Sequence, residues 1–146
     1  MLKRPTPVSS EKGQSMVEMA LSFVILIMLI AGIVDLGRAF FTYMALRDAA
    51  QEGAAFGSLY PTNTTGIADR VEASTGGSTN PINFGDPNIS IVSQVIGQPC
   101  MGNGIKVTVR YNDFPFIMPA WVLWFPDNTI DLAASMTDEI LNPPCP

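Results

Sequence analysis

Apolar residues are concentrated in one long run near the N-terminus. From Met19 to Val34 sixteen residues pass without a charge, and ten of them are Leu, Ile, Val or Phe. At about 0.3 to 0.6 kcal/mol each, these ten favour membrane insertion by about 3 to 6 kcal/mol. As a helix the run covers only about 24 Å of a hydrocarbon core about 30 Å thick. The helix therefore spans a membrane only if the turn from Gln14 to Glu18 lies inside it or at its edge.

The helical pattern continues beyond the apolar run. No proline occurs between residues 35 and 57, which predicts one helix of about 40 residues in total, closed by Tyr60-Pro61. Its predicted apolar stripe contains Leu36, Phe40, Met44 and Ala45, and its wetter face contains Asp35, Arg38, Arg47, Asp48 and Glu52. Small residues accumulate near its end and would let either the chain's own sheet or a neighbouring helix approach closely: Ala45, Ala49, Ala50, Gly53, Ala54, Ala55 and Gly57.

The rest of the chain predicts a short helix followed by three strands. The helix covers residues 65–74, with Thr65 as N-cap and with Ile67, Ala68 and Val71 on one face. Alternating apolar and polar residues predict strands at 88–96, 104–112 and 129–138. Three antiparallel strands with one apolar face need a cover, which the second half of the long helix supplies. The predicted fold is therefore α+β, with the helix packed under a small antiparallel sheet.

An apolar segment joins the second and third predicted strands. Residues 114–127, FPFIMPAWVLWFPD, contain three prolines and five aromatic residues. The simplest interpretation is that the segment folds over the open edge of the core. A contact with a neighbouring subunit, a membrane leaflet or another surface is the alternative.

Composition and charge narrow the function. The formal net charge of −5 and the pI near 4.4 argue against a nucleic-acid partner. The chain has no histidine, which removes the commonest general base and metal ligand. Neither a nucleophile motif nor a phosphate-binding glycine loop occurs, and two cysteines cannot build a zinc site unaided. We therefore predict neither catalytic residues nor a cofactor or metal site, and we expect no enzyme activity.

Three interpretations of the N-terminal stretch compete. It is a cleaved secretory signal, a plain membrane anchor with Glu18 at the headgroups, or a prepilin start in which Gly13 ends a short leader. Lys3, Arg4 and Lys12 precede the span, and such basic residues place that end in the cytoplasm. The bulk of the chain is then outside.

The order of residues in this region resembles a known family. Gly13, Gln14 and Glu18 before an apolar helix resemble the type IV prepilin cleavage region. The longer order is similar to that of TadE-like proteins, the pseudopilins of tight-adherence pilus systems. The matching elements are Asp-x-Gly-Arg, here Asp35, Gly37 and Arg38, and Ala-Ala-x-Glu-Gly, here Ala49, Ala50, Glu52 and Gly53. Met19 stands where major pilins tend to carry an aromatic residue, which favours the minor, TadE-like branch.

The resemblance implies a division of the chain and a set of partners. Residues 1–13 would be a cytoplasmic leader, 14–34 the transmembrane helix, 35–60 its extracytoplasmic continuation and 61–146 a small α+β head. A prepilin peptidase would cut between Gly13 and Gln14, and Glu18 would pair with the α-amine of Gln14 on a neighbouring subunit. The implied partners are other pilins or pseudopilins and the inner-membrane assembly machinery. A membrane-anchored extracytoplasmic binding module outside any pilus is the alternative function.

The two cysteines predict a disulfide. Cys100 and Cys145 both lie on the side expected to be outside, where oxidising conditions let disulfides persist. Because they are the only cysteines, an intramolecular bridge has a single possible pairing. An intersubunit bridge and two free thiols are the competing interpretations.

Overall fold

The computed structural model describes residues 11–74, 82–118 and 128–145. Within them, α1 (Glu11–Leu59) is followed by α2 (Thr64–Ala73), and the strands are β1 (Ile89–Ile96), β2 (Gly104–Pro115) and β3 (Thr129–Glu139). The strands form an antiparallel sheet in the order β1-β2-β3. The predicted α+β fold is confirmed, with the second half of α1 packed against this sheet. We refer to α2 and the sheet together as the head.

Helix α1 is a single helix of 49 residues. It is long and apolar enough to cross a membrane, with a mean hydropathy of 2.6 in its most apolar window, none of which is buried by the head. The helix ends at Leu59, two residues before Pro61, because the residue before a proline disfavours the helical conformation. The Tyr60 N–H still donates to the Phe56 carbonyl at 3.1 Å, which closes the last turn.

The head covers a face of α1 that differs from the predicted one. Leu36 and Phe40, assigned to the inward stripe, are 72% and 58% exposed, whereas Asp35, assigned to the wetter face, is only 3% exposed. The prediction of these two faces is therefore wrong at this level of the helix. The covered residues follow one helical stripe and consist mainly of small side chains: Asp35, Thr42, Leu46, Ala49, Ala50, Gly53, Ala54, Gly57 and Ser58.

Small residues on this stripe bring α1 close to the head. A Cβ at Gly53 would lie 2.5 Å from Cγ2 of Val71 in α2 and 3.2 Å from Cγ1 of Val107 in β2. A Cβ at Gly57 would similarly lie 3.0 Å from Cγ1 of Ile105. Of the two possible neighbours of these glycines, the chain's own α2 and sheet are therefore the ones that they contact.

Helix α2 covers nearly the predicted residues but has another N-cap. The side-chain oxygen of Asn63, rather than that of Thr65, accepts the backbone N–H of Gly66 at 3.0 Å. Thr65 donates its hydroxyl to the same Asn63 oxygen. Asn63 is the N-cap because the helix starts one residue earlier than expected, which leaves Thr65 inside the first turn. Ile67 and Val71, two of the three residues predicted to share one face, are fully buried, and Ala68 is partly buried.

Strand β2 is the centre of the sheet and of the core. Ile105, Val107 and Val109 are fully buried against α1, and β1 and β3 pair with β2 on its two sides. The alternation predicted for β2 is therefore confirmed over residues 104–111. The partly buried side chains of Leu132 and Met136 add the β3 contribution to the same core.

A bulge near the end of β2 changes which residues face inward. The register shifts between Tyr111 and Phe114, and Asp113 adopts a positive φ of 55°. One extra residue reverses the alternation, so Phe114, which is 4% exposed, faces the core instead of Asp113. Of the apolar segment 114–127, Phe114 and Pro115 thus belong to β2, while residues 119–127 lie outside the described part of the chain.

The predicted disulfide joins Cys100 to Cys145 within the chain, across a sequence separation of 45 residues. Backbone hydrogen bonds run alongside it, from the Met101 N–H to the Pro143 carbonyl at 2.8 Å and from the Gly102 N–H to the Ile140 carbonyl at 3.1 Å. The bridge therefore fastens the C-terminal segment to the loop between β1 and β2. The intramolecular pairing is confirmed over the intersubunit bridge and the free thiols.

Candidate functional site

A buried carboxylate joins α1 to the segment that follows β2. One oxygen of Asp35 accepts the backbone N–H of Ile117 at 2.8 Å, and the other accepts that of Met118 at 2.7 Å. Hydrogen bonds to an ionised carboxylate are about twice as strong as neutral ones. Both oxygens of a residue that is 3% exposed are thereby satisfied by protein groups.

Arg38 lies one helical turn after Asp35 and contacts the end of β2, just before that segment. Its guanidinium Nη1 is 3.5 Å from an oxygen of Asp35 and 3.4 Å from the carbonyl oxygen of Pro115. Its Cζ also lies 5.3 Å from the ring centroid of Phe114, a cation–π distance. Because the Arg38 side chain is 42% exposed, the ion pair itself adds little stability. We call Asp35, Arg38, Pro115, Ile117 and Met118 the Asp35 site.

The bulge in β2 is what directs the chain toward this site. By turning Phe114 inward it carries Pro115 and the following residues against α1, where Met118 approaches Gly32: a Cβ at Gly32 would lie 3.4 Å from Cε of Met118. The first and last residues of the connection between β2 and β3 are also paired, since Phe116 donates its N–H to the Asn128 carbonyl at 2.9 Å. The Asn128 amide nitrogen in turn donates to the Phe116 carbonyl at 2.6 Å.

Tyr111 lies beside the bulge, where its surroundings favour the neutral form of the phenol. Burial raises the pKa of its phenol above the usual 10.0, and the nearby Asp86 carboxylate, which accepts its hydroxyl at 3.3 Å, raises the pKa further. The charge of Arg38 acts in the opposite direction.

The predicted processing residues lie at the other end of the span. Gly13, Gln14 and Glu18 are exposed on the first turns of α1. At a helical rise of 1.5 Å per residue, Gly13 lies about 33 Å from Asp35 along the helix axis. The Glu18 carboxylate contacts no polar group among the residues that the structure describes, while its backbone carbonyl accepts the Ser22 hydroxyl. The predicted processing residues and the Asp35 site therefore lie at opposite ends of the apolar run.

The family-motif residues divide by direction. Asp35 faces the segment after β2 and Arg38 faces the end of β2, while Gly53 packs under α2 and the sheet. Gly37 faces away from the head, with no described atom within 4 Å of the position that a Cβ would occupy. Glu52 is also exposed. One motif thus serves both the internal packing of the chain and its outer helix surface.

Sequence reasoning did not find the partners of Asp35. Ile117 and Met118 contribute only backbone N–H groups, which leave no trace in residue type, and they lie 82 and 83 residues away. One signal was present: Asp35 is the first charge after the sixteen uncharged residues of the span, and a carboxylate so close to lipid needs partners.

These features define a class of protein in which one apolar helix, a candidate single membrane span, carries a small α+β head. The model of the TadE-like protein family matches residues 13–55, almost the whole of α1, and so confirms the resemblance seen in the sequence. That family is associated with pili and is structural rather than enzymatic. No curated protein and no solved structure matches the chain.

Proposed function

We propose that this chain is a pseudopilin, a structural and assembly component of a tight-adherence type IV pilus that is inserted by its N-terminal helix. The observation that carries the proposal is the family match, which begins at Gly13, the residue after which cleavage is expected. The exposed position of Gly13 and Gln14 on α1 supports access by a prepilin peptidase. The basic residues before the span support a cytoplasmic position for this end.

Glu18 is the proposed assembly residue. An unpaired carboxylate within an apolar helix costs up to about 2.5 to 3.5 kcal/mol at the centre of a membrane, and less near its edge. The described part of the chain offers Glu18 no partner, so a neighbouring subunit is free to supply one. After cleavage the new α-amine of Gln14 on that subunit has the required charge.

The remaining partners follow from the same assignment. The outer face of α1 is available to other pilins or pseudopilins and to the inner-membrane assembly machinery, because the head covers only the opposite stripe. In this proposal the head projects from the cytoplasmic membrane on the extracytoplasmic side, where the Cys100–Cys145 bridge persists.

The mature N-terminus tests the processing step. In cells that contain the prepilin peptidase, mass spectrometry should find a chain that begins at Gln14, and Gly13→Leu should leave the precursor uncut. Gly37→Leu is the matched control, because Gly37 is also an open glycine on α1 but lies outside the expected cleavage region. A wild-type chain that still begins at Met1 would overturn the proposal in favour of the membrane-anchored binding module.

The assembly step has its own test. Glu18→Ala should be cleaved normally but should fail to enter the pilus, since the partner amine would be left without its carboxylate, at a cost of about 3 to 5 kcal/mol. Immunoblots of sheared pili and of membranes separate the two outcomes. Normal incorporation of Glu18→Ala would remove Glu18 from the assembly contact.

A further inference from the structure

The exposed apolar surface of α1 does not stop where the sequence places the membrane boundary. Beyond Val34, the side chains of Leu36, Phe40 and Phe41 are 72%, 58% and 68% exposed. Between Glu18 and Arg47 the only charged residues are Asp35 and Arg38, which contact each other and the segment after β2. The surface suited to lipid therefore continues past residue 34.

Counting from Glu18 gives the level of the outer boundary. A hydrocarbon core of about 30 Å accommodates about 20 helical residues, so a span that begins after Glu18 reaches Arg38. Asp35 then lies about 4.5 Å inside the hydrocarbon on the side of the head. The residues that bind Asp35 must lie at the same depth.

The segment from Phe114 to Met118 has the properties that lipid contact requires. It carries no charge, and Ile117 is 60% exposed. Each backbone N–H from Phe116 to Met118 is bonded to a protein acceptor, either the Asn128 carbonyl or the Asp35 carboxylate. Non-helical backbone is tolerated at membrane depth only where it is buried in protein or lines a water-filled cavity, and these bonds to protein acceptors are what such burial requires of the backbone N–H groups.

We propose that Phe114–Met118 is a second membrane-contacting element, which Asp35 holds at the edge of the leaflet on the head side so that Ile117 enters lipid. The occupant of this surface is the bilayer itself, because Met118 packs against Gly32 within the apolar run and the exposed Phe41 lies beside Phe114 and Pro115. The proposal rests on the membrane anchoring within the proposed function, but not on cleavage or on pilus assembly. It gives the head a fixed height and orientation at the membrane.

Depth-dependent fluorescence quenching tests this in the full chain, reconstituted in lipid nanodiscs at one copy per disc. Ile117→Cys carries the probe, a polarity-sensitive fluorophore attached after the native disulfide has formed. Val92→Cys is the matched control, because Val92 is a similarly exposed apolar side chain, 53%, on the sheet. Ile27→Cys, in the middle of the apolar run, reports the anchor.

We expect nitroxide groups near the lipid headgroups to quench the probe at residue 117 and to leave that at residue 92 unquenched. Deep nitroxides should quench the probe at residue 27. Adding Asp35→Asn should abolish quenching at residue 117 without changing it at residue 27. Because the first comparison uses the native Asp35, it remains decisive even if Asp35→Asn fails to fold.

Three results would overturn the proposal, and they are distinguishable. Quenching at residue 27 with none at residue 117 refutes the second element and leaves the anchor intact. No quenching at residue 27 refutes the anchor, and with it the proposed function. Protection of residue 117 from both lipid nitroxide and aqueous iodide, only in discs that hold two chains, identifies a second copy as the occupant.

Discussion

Replacing Asp35 by asparagine tests the hydrogen bonds that join α1 to the segment after β2. The substitution keeps the size of the side chain but replaces one acceptor oxygen with an NH₂ group. That group would face either the Ile117 or the Met118 N–H, donor against donor. The remaining bond would be neutral rather than charge-assisted.

The magnitude follows from these two bonds. A hydrogen bond to a charged group contributes about 1.5 to 3 kcal/mol and a neutral one about 0.5 to 1.5 kcal/mol. Losing the first and weakening the second costs about 3 kcal/mol in local stability. The half-exposed Arg38 changes this figure little, because such ion pairs contribute at most about 1 kcal/mol.

Hydrogen exchange of the full chain in nanodiscs measures the effect directly. A loss of about 3 kcal/mol corresponds to roughly a hundredfold faster exchange at Ile117 and Met118. A peptide covering Ile105 to Val109 serves as the internal reference, because these core amides open only when the head unfolds. Asp48→Asn is the matched control, since Asp48 is an exposed carboxylate on the same helix.

One result would refute the reasoning. If Asp35→Asn leaves exchange at Ile117 and Met118 as slow as in the native chain, their N–H groups are not held by this carboxylate. Equal acceleration in the reference peptide would instead show that the Asp35 site stabilises the whole head.

Three further predictions concern the head and its packing. Gly53→Ala should lower the free energy of unfolding by about 1 to 3 kcal/mol, because its Cβ would meet Val71 and Val107. Gly37→Ala should instead raise the free energy of unfolding by up to about 1 kcal/mol, because its Cβ would meet no described atom. Urea titrations compare the two variants, and equal effects would contradict the packing of Gly53. Removing the disulfide with Cys100→Ser and Cys145→Ser should cost up to about 4 kcal/mol for a loop of 45 residues, and a change near zero in the same titration would show that the C-terminal segment is held without it. Because the pKa of Tyr111 is raised in the folded head, the contribution of Tyr111 to stability is present below pH 10.0 and is lost as the pH rises through the folded pKa. Tyr111→Phe should flatten this part of a pH–stability curve. An unchanged curve would refute the assignment of this pH dependence to Tyr111.

Local pattern was enough for much of the fold. The strands were predicted to within a few residues, because alternation between the two faces of a strand is a local property. The long helix and its end were also predicted from local sequence, because no proline occurs between residues 35 and 57 and Pro61 then ends the helix. The presence of only two cysteines left one possible intramolecular pairing, and the structure confirms it.

The candidate site was predicted only in part. The motif singled out Asp35 and Arg38, and the family match covers both of them. Asp35 departs from the exposed position predicted for it, because it is buried under a segment 82 residues away, whereas Arg38 is exposed as predicted. The pairing is made by backbone N–H groups, which every residue except proline possesses, so no residue type marks the partner.

The sequence by itself determined the approximate positions of the elements, the apolar run that makes α1 a candidate membrane span, and the single pairing open to an intramolecular disulfide, because each depends on neighbouring residues or on a count. That this bridge forms within the chain was decided by the tertiary structure, which brings Cys100 and Cys145 together. Only the tertiary structure decided which face of α1 the head covers: Asp35 is buried there and Leu36 is exposed. Hydrophobic periodicity identifies the apolar face of a helix but not whether the chain's own head covers that face, and beyond the apolar run the exposed face carries Leu36 and Phe40. The bulge at Asp113 was equally undetermined, because its single extra residue is specified by the docking of Phe114 and Pro115 against α1 rather than by the local sequence.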